Sequence, residues 1–368
     1  MSVRLSSLAS IKSKLSEKNV KKILLISGNN SYYKTGAKEK FRNILKDKET
    51  HLYIKNSYFP NYQELKKILD FKNLVKPDFI VAIGGGCVMD YAKICSVVTS
   101  QNNLKKKIIN SDTFSKKKTR VLAIPTTAGS GAEVTSSAVI YINNIKYSVE
   151  GNNMRPDFFA IIPEFLISSS FKIDASSGFD AISQSIESLF SERSTQESIL
   201  FAKRSLNILL KNYTTFLKKK NLTNSYKMAL GANLAGKAIS ISKTTAPHAL
   251  SYPFTALFNV PHGHAVSLTL NKFLKFNYLN LNKSNSSFNL RKRFELLFDL
   301  TKTKNLIELD RYLLNVKKKA CLEQNFFKLG INLDRDGDRI IKGLNEKRLK
   351  NNPIKISKKD IQYILKKF

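Results

Sequence analysis

Short apolar runs alternate with helix-like segments between Met1 and Phe165 of this 368-residue chain, and this alternation constrains the fold more than any other feature. The runs are rich in β-branched residues and end in glycine, proline or polar residues, which is typical of buried strands. Strands that alternate with helices predict a parallel sheet with helices on both faces. The predicted strands cover Lys21–Ser27, Phe79–Ile83, Thr119–Pro125, Ala138–Ile142 and Phe158–Pro163.

The pattern changes near Ile173 to long segments in which apolar residues recur with a period of 3.6. We therefore predict an α/β domain over residues 1–165 and an all-helical domain over residues 166–368. Open α/β sheets bind ligands at the carboxyl ends of their strands, so we expect the active site in a cleft between the two domains. The predicted helices cover Ser176–Ser191, Gln196–Tyr213, Ser225–Ile241 and a region from Leu290 onward.

The chain is strongly basic, with 62 Lys and Arg residues against 28 Asp and Glu residues and a formal net charge of +34. Such a charge fits either a nucleic-acid-binding protein or an anionic substrate. The lysines are spread along the whole chain, and Lys-rich segments such as Leu217–Asn221 lack interleaved aromatic residues. We therefore interpret the positive charge as a bias of the composition towards lysine rather than as a nucleic-acid-binding surface.

The cellular setting is indicated by three weak features. No apolar run approaches the ~18–20 residues needed to cross a membrane. The three cysteines, Cys87, Cys95 and Cys321, form no CxxC pair, which favours a reducing, cytoplasmic setting. The basic, Ser-rich start of the chain resembles either a transit peptide or a domain-initial helix, and we interpret it as a helix.

Three consecutive glycines, Gly84–Gly86, follow the predicted strand Phe79–Ile83 and precede a helical pattern. Glycines let a backbone turn sharply and approach a phosphate, and N–H groups at the start of a helix attract anions. The segment is typical of a dinucleotide site, and a plain strand-to-helix turn is the alternative. After the strand that ends at Pro125, Thr126 and Thr127 offer hydroxyl donors to a pyrophosphate.

Three of the four histidines of the chain lie close together in one short segment, at His248, His262 and His264. Upstream, Asp180 and Gln184 are spaced i and i+4 on a predicted helix, which places both side chains on one face. Either chance put the histidines together or this segment needs imidazole.

Two other features are weaker candidates for sites. The fourth histidine, His51, is interpreted as a surface residue. The segment Asp334–Asp338 resembles the start of an EF-hand loop, but Arg339 stands at the position of the required glycine and Asn345 at that of the bidentate glutamate. We predict that this segment is a turn.

Two motifs resemble those of the iron-containing, or group III, alcohol dehydrogenases. Residues 84–93, GGGCVMDYAK, resemble the family's GGGSxxDxAK turn, with Cys87 in place of serine, and residues 124–135, IPTTAGSGAEVT, resemble its IPTTAGTGSEVT signature. The resemblance implies a Rossmann-like dinucleotide-binding domain followed by an all-helical metal-binding domain, the fold of the dehydroquinate synthases. Family members begin with an extra β-ribbon, for which only the short segment before Lys21 is available in this chain.

The resemblance implies a nicotinamide cofactor, and we favour NADP over NAD. NAD-selective members carry an Asp just after the first Rossmann strand, where this chain has Gly28. Without that carboxylate a 2′-phosphate is not repelled, and Asn29, Asn30, Ser31 and Lys34 add donors and a positive charge. The cofactor-binding residues that the resemblance implies are Gly28, Asn30, Ser31, Lys34, Gly85, Gly86, Cys87, Asp90, Thr126, Thr127 and Lys146.

The family binds one divalent metal with an Asp, a His one helical turn later, and two further histidines, the second of which lies in a PHG turn. Here Asp180, His248 and His262 match, and Gln184 replaces the first histidine. The resulting set of two nitrogen and two oxygen ligands suits Fe(II), which we favour, and also Zn(II) or Mn(II). A site with three ligands, in which Gln184 is not bound, is the alternative.

Two residues near the implied metal are candidate catalytic groups. His264 is a candidate proton relay, or a residue that contacts the metal ligands rather than the metal itself. Tyr252 stands one helical turn after His248, where many members of the family have another histidine. The Tyr252 hydroxyl can still donate a hydrogen bond to a substrate oxygen.

Several segments resemble the branch of the family that reduces phosphonoacetaldehyde to 2-hydroxyethylphosphonate, a branch that also has Gln at the second metal position. We therefore expect a small anionic aldehyde as substrate, bound by Lys243 and Arg155, and allow for a homodimer. The alternatives are that these two cations are structural, that the protein is a general aldehyde or alcohol dehydrogenase, and, remotely, that it binds nucleic acid. The segments are Ser183–Ser198, Lys243–Ala249, Val260–Val266 and Arg348–Pro353.

Overall fold

The structure is a computed structural model that describes residues 2–98, 100–112, 114, 116–143, 145–284 and 286–367. The chain divides into two compact units. The first unit comprises Met1–Ser170 with Asn221–Ala229, and the second comprises Phe171–Lys220 with Leu230–Phe368. The segment Asn221–Ala229, which we expected in the helical domain, thus groups with the first unit.

The first unit contains a six-stranded sheet with the strand order β1-β8-β5-β4-β2-β3 and a separate pair of strands, β6 and β7. All pairings in the six-stranded sheet are parallel, which confirms the predicted α/β architecture. The strands are β1 Val3–Arg4, β2 Lys22–Gly28, β3 Glu49–Lys55, β4 Phe79–Gly84, β5 Arg120–Pro125, β6 Ser137–Ile142, β7 Ile145–Glu150 and β8 Phe158–Phe159.

Strand β4 lies at the centre of this unit, and all six of its residues are buried. Ile80 and Ala82 pack into one apolar cluster, while Phe79, Val81 and Ile83 pack into a second. Because successive side chains point to opposite faces, the strand must be apolar on both faces, which explains its uninterrupted hydrophobic run.

Two predicted strands differ from the structure. Ala138–Ile142, expected in the parallel sheet, belongs to β6, which pairs antiparallel with β7 outside that sheet. The run Phe158–Pro163 forms only the two-residue strand β8. An apolar run shows that a segment is buried, but it does not identify the strand with which the segment pairs. At the amino terminus, β1 adds a two-residue edge strand to β8.

The basic start of the chain forms a helix, as predicted. Ser7 caps it, with its hydroxyl accepting from the Ser10 N–H while the Ser10 hydroxyl accepts from the Ser7 N–H. The helices of the first unit are α1 Leu8–Leu15, α2 Asn29–Tyr33, α3 Ala37–Ile44, α4 Tyr62–Val75, α5 Gly86–Val97, α6 Leu104–Asn110 and α7 Glu164–Ile167.

The second unit contains helices and no strand among its described residues, in agreement with the predicted period of 3.6. Asp334–Asp338, which we predicted to be a turn, instead lies inside helix α15, whose start is capped by the side chain of Asn332. The helices from Phe171 onward are α8 Phe171–Phe190, α9 Gln196–Lys218, α10 Leu222–Ser242, α11 Ala246–Phe258, α12 His262–Leu279, α13 Leu290–Thr301, α14 Leu306–Lys319, α15 Leu333–Lys342, α16 Glu346–Leu349 and α17 Lys358–Lys367.

Among the described helices, none is both long enough and apolar enough to cross a membrane.

Candidate functional site

The glycine-rich turn connects β4 to α5 and leaves no room for a side chain at Gly84 or Gly86. A Cβ atom on Gly84 would lie 2.5 Å from Cγ2 of Val88, and one on Gly86 would lie 2.9 Å from Oγ of Ser130. Gly85 is the N-cap residue of α5, a 12-residue helix. The backbone N–H groups at the start of α5 are thus presented at the carboxyl edge of the sheet, where they can bind an anion.

The ends of three neighbouring strands meet at this edge. The Thr126 N–H, just after β5, donates to the Gly84 carbonyl at 3.0 Å, and the Thr126 hydroxyl lies 3.0 Å from that of Ser31. Gly28, the last residue of β2, is the N-cap residue of α2, which carries Ser31. Five predicted cofactor residues, Gly28, Ser31, Gly85, Gly86 and Thr126, are therefore neighbours or bonded partners in the structure, with Thr127 beside Gly85.

The remaining predicted cofactor residues lie around this edge. Asn30 and Lys34 are exposed, on α2 and at its carboxyl end. Cys87 lies in the first turn of α5, and burial raises the pKa of its thiol to about 12, so the group is neutral near pH 7. Burial also raises the pKa of Asp90 to about 6, against the opposing charges of nearby lysines that include Lys146.

Lys93 is a buried cation of the first unit that we did not predict as a site residue. Its Nζ donates to the Thr135 hydroxyl at 2.7 Å and to the Ser137 carbonyl at 2.9 Å. Burial lowers the pKa of Lys93 to about 8. The lysine of the GGGCVMDYAK motif thus ties α5 to the end of the IPTTAGSGAEVT segment and holds the two motifs together.

In the second unit, three predicted metal ligands converge from three helices. Asp180 lies in α8, His248 in α11, and His262 is the first residue of α12. Their potential ligand atoms all lie within 4.8 Å of one another. Asp180 and His248 are buried, His262 is half-buried, and the two imidazole centroids are 5.4 Å apart. Neutral imidazole and carboxylate groups at this spacing are a normal donor set for a divalent transition metal.

Glu187 orients this cluster, and we did not predict it. Its Oε1 accepts from the Thr245 N–H at 2.9 Å, the Thr245 hydroxyl at 3.0 Å and the His248 N–H at 3.3 Å, so the carboxylate caps the start of α11. Its Oε2 bonds to Nδ1 of His248, whose Nε2 lies 3.2 Å from Oδ1 of Asp180. One feature of the sequence could have identified Glu187. It lies two helical turns after Asp180, which puts both carboxylates on one face of α8.

The electrostatics of His248 follow from this arrangement. Burial lowers the pKa of His248, but the carboxylates of Glu187 and Asp180 outweigh that effect and raise the pKa to about 9. The imidazole is therefore held between two buried carboxylates, one at each ring nitrogen.

Gln184 lies one helical turn after Asp180 and is 3% exposed. Its Nε2 donates to Oδ2 of Asp180 at 3.0 Å, and its Oε1 has no hydrogen-bond partner among the described residues. A buried amide oxygen without a partner is costly, and a metal ion bound beside Asp180 would satisfy it after rotation of the amide. The residues present therefore fit a divalent metal, with Gln184 as a possible fourth donor.

Gly263 brings α12 into direct contact with α8. A Cβ atom on Gly263 would lie 1.9 Å from the carbonyl oxygen of Ser176 and 2.8 Å from Cβ of Asp180. Only a glycine allows the two helices to approach this closely, and that approach places His262 beside Asp180.

We expect Gly263→Ala to lower the free energy of unfolding by about 3 kcal/mol, because the added methyl group must push α12 away from α8. Urea denaturation of the purified protein measures this change. Gly337→Ala is the matched control, because Gly337 lies inside α15 with open space at its Cβ position. That substitution should stabilise the protein by up to about 1 kcal/mol. Equal effects of the two substitutions would contradict the close approach at Gly263.

The two predicted catalytic residues differ in their placement. The Tyr252 ring centroid lies 6.0 Å from that of His262, so Tyr252 lies beside the cluster. Nε2 of His264 lies 2.7 Å from the Glu323 carbonyl oxygen, and burial lowers the pKa of His264. His264 is outside the group formed by Asp180, His248 and His262, and its ring is held by a backbone carbonyl.

The two predicted substrate residues are half-buried and belong to different units, Arg155 to the first and Lys243 to the second. Lys243 follows the last residue of α10 with a φ of 61°, a left-handed conformation that ends the helix and leads into α11. Arg155 follows a short 3₁₀ turn at Asn152–Met154.

Comparison with protein families matches both parts of the chain. The profile described as iron-containing alcohol dehydrogenase matches residues 3–163, and that described as Fe-containing alcohol dehydrogenase family, C-terminal, matches residues 174–368. The chain belongs to the iron-containing alcohol dehydrogenase family. This membership confirms the predicted resemblance of residues 84–93 and 124–135 to the motifs of that family.

The sequence identity to individual members of the family is low. The chain is 28% identical over 280 residues to aldehyde-alcohol dehydrogenase 2 of Entamoeba histolytica, a match that covers 71% of this chain and 32% of that protein. It is 31% identical over 217 residues to phosphonoacetaldehyde reductase of Streptomyces viridochromogenes, which covers 55% of this chain and 54% of that protein. The matched segments thus span about half or less of these relatives.

The fold is shared with solved structures. The structure of an alcohol dehydrogenase from Oenococcus oeni matches with a TM-score of 0.89 and 19% identity, over 99% of this chain and 97% of that one.

Proposed function

We propose that this protein is a metal-dependent oxidoreductase that transfers a hydride from NAD(P)H to phosphonoacetaldehyde, giving 2-hydroxyethylphosphonate. The observation that carries the proposal is the cluster of buried Asp180 and His248 with half-buried His262, beside the amide oxygen of Gln184, which has no partner among the described residues. The glycine-rich turn at the carboxyl edge of the sheet in the first unit supports the nucleotide part of the proposal.

The choice of an anionic aldehyde rests on three kinds of support. The phosphonoacetaldehyde reductase of Streptomyces viridochromogenes is 31% identical to this chain over 217 residues. Lys243 lies next to the segment that begins α11 and carries His248, and a lysine there is suited to a phosphonate. The net charge of +34 also raises the local concentration of anions.

Asp180, Gln184, His248 and His262 would hold a divalent metal, Fe(II) in preference to Zn(II) or Mn(II). When bound, such an ion supplies Lewis acidity to an aldehyde oxygen. Glu187 keeps Nδ1 of His248 occupied, so that Nε2 faces Asp180. The Tyr252 hydroxyl is the proposed donor of the proton that converts the product alkoxide to an alcohol, and a relay through His264 is the alternative.

In the first unit, the N–H groups at the start of α5 would hold the cofactor pyrophosphate, and the hydroxyls of Thr126 and Thr127 would donate to it. We propose NADP rather than NAD, because Gly28 offers no carboxylate to the ribose hydroxyls at the end of β2.

A cofactor-oxidation assay tests the proposal. NADPH consumption is measured with phosphonoacetaldehyde and with butanal, using protein loaded in turn with Fe(II), Zn(II) or Mn(II). We expect kcat/KM for phosphonoacetaldehyde to exceed that for butanal by at least about tenfold, because each charge-assisted contact to the phosphonate contributes about 1.5–3 kcal/mol. Lys243→Met should remove that preference while leaving butanal turnover unchanged.

Two outcomes would count against the proposal. Equal kcat/KM values for both aldehydes would instead support a general aldehyde or alcohol dehydrogenase, as the similarity to aldehyde-alcohol dehydrogenase 2 of Entamoeba histolytica allows. An absence of turnover with every metal, cofactor and aldehyde would contradict oxidoreductase function itself.

A further inference from the structure

We propose that Lys55, the last residue of β3, binds the 2′-phosphate of NADP and selects this cofactor over NAD. The inference rests on the proposed function and deepens it, because it adds a second strand end to the cofactor site. None of the motifs singled out in the sequence includes this residue.

The register of the sheet places Lys55 beside Gly28. The two residues are paired in the parallel ladder between β2 and β3, and each ends its strand. Cε of Lys55 lies 3.8 Å from the position that a Cβ atom on Gly28 would occupy. A longer side chain at residue 28 would extend into the space beside the lysine stem, so the glycine leaves that space open to a ligand.

The charge of Lys55 is not neutralised within the protein. The side chain is half-buried, and its Nζ donates to the carbonyl oxygen of Ser57. Among the residues that the structure describes, no carboxylate forms an ion pair with it, whereas Lys22 at the other end of the same strand pair lies 3.2 Å from Glu49. A partly desolvated ammonium group with only a carbonyl partner is well suited to an anionic ligand.

Lys55 also acts on the glycine-rich turn. Burial raises the pKa of the Cys87 thiol, and the positive charge of Lys55 opposes this effect, which puts the ammonium group within electrostatic reach of the first turn of α5. The carboxyl edge of the sheet therefore has two groups that suit phosphates. The start of α5, after β4, suits a pyrophosphate, and Lys55, at the end of β3 on the far side of β2, supplies a positive charge.

The order of these groups matches the chemistry of the ligand. In doubly wound sheets the pyrophosphate lies on the glycine-rich turn, and the adenosine ribose is read by a side chain at the end of a neighbouring strand. Here the neighbouring strand β2 ends in Gly28, and Lys55 ends the next strand, β3, beside that glycine. An acidic side chain there suits the free 2′-hydroxyl of NAD, and a cation suits the 2′-phosphate of NADP. Lys34, the cation expected from the sequence, is exposed, so solvent screens it more than Lys55.

The test compares adenosine 2′,5′-bisphosphate with ADP, which has no 2′-phosphate, as probes for the full-length protein in calorimetric titrations. We expect Lys55→Met to weaken binding of the 2′,5′-bisphosphate roughly 10- to 100-fold and to leave ADP binding within about twofold of wild type. Lys55→Arg should keep the preference, because it keeps the charge. Lys46→Met removes one exposed charge ahead of β3 and should change neither affinity.

The outcomes are separable. Equal weakening of both probes by Lys55→Met, or no weakening of either, would overturn the role of Lys55 while leaving a nucleotide site in place. Wild-type protein that binds neither probe would overturn the proposed function together with this inference.

Discussion

The His262→Ala variant is expected to lose its metal and its activity together. His262 is the first residue of α12 and one of only three His or carboxylate residues whose ligand atoms converge within 4.8 Å among the described residues. Removing its imidazole leaves Asp180 and His248, and two protein ligands plus an amide hold a transition metal poorly. Metal content per chain, measured by elemental analysis after dialysis, should fall below about a tenth of the wild-type value, and kcat/KM should fall by at least about 10²- to 10³-fold.

His264→Gln is the control, because it changes a neighbouring histidine on the same helix. Nε2 of His264 is bonded to the Glu323 carbonyl, and a glutamine amide can donate to the same oxygen. This variant should keep its metal, and any loss of kcat without loss of metal would support the relay role of His264. Equal metal content in His262→Ala and wild type would rule out His262 as a ligand. Loss of metal from His264→Gln would place His264 in the metal site.

The fold could be predicted from the sequence because its signals are local. A strand buried on both faces must be apolar throughout, as β4 is, and a helix that packs on one face shows a period of 3.6. The glycine turn was recognisable for a similar reason, since Gly84 and Gly86 are required by contacts with Val88 and Ser130 in the same turn or in the next motif.

Features that depend on tertiary pairing were missed. The pairing of β6 with β7, outside the six-stranded sheet, could not be predicted, because an apolar run indicates burial but does not identify the partner strand. Asp334–Asp338 resembles a loop in composition, and the cap at Asn332 is what starts a helix there. Lys55 was missed because its significance depends on the register that sets it beside Gly28, from which α2 and α3 separate it along the chain.

Glu187 was missed for the same reason, although it contacts the ring of His248, one of the three candidate metal ligands. Its contacts are with Thr245 and His248, which are 58 and 61 residues away in sequence. A single carboxylate therefore performs two tasks, capping α11 and fixing the ring of His248, and a substitution can be chosen that separates them.

Glu187→Gln is expected to preserve the fold and to weaken metal binding about 100-fold. A carboxylate only accepts hydrogen bonds, so the wild-type residue keeps a proton on Nδ1 of His248, and it is Nε2 that gives up its proton when the ring binds a metal. The glutamine oxygen can still accept from Thr245, which retains the helix cap, but its amide can donate to Nδ1. The ring then carries its proton on Nε2 and cannot offer that nitrogen to a metal, as with the wrong tautomer of a catalytic histidine.

Glu187→Ala supplies the contrast that makes this prediction specific. It removes the cap as well and leaves the buried N–H groups of Thr245 and His248 without an acceptor, so it should lower the free energy of unfolding by about 2–4 kcal/mol. In urea denaturation of metal-free protein, Glu187→Gln should lose less stability than Glu187→Ala, because it keeps the cap of α11 and loses only the charge that pairs with His248. Metal titration of the same samples then decides between the roles. A Glu187→Gln variant that binds metal as tightly as wild type would show that the carboxylate is not needed to fix the tautomer of His248, because the tautomer argument requires metal affinity to fall.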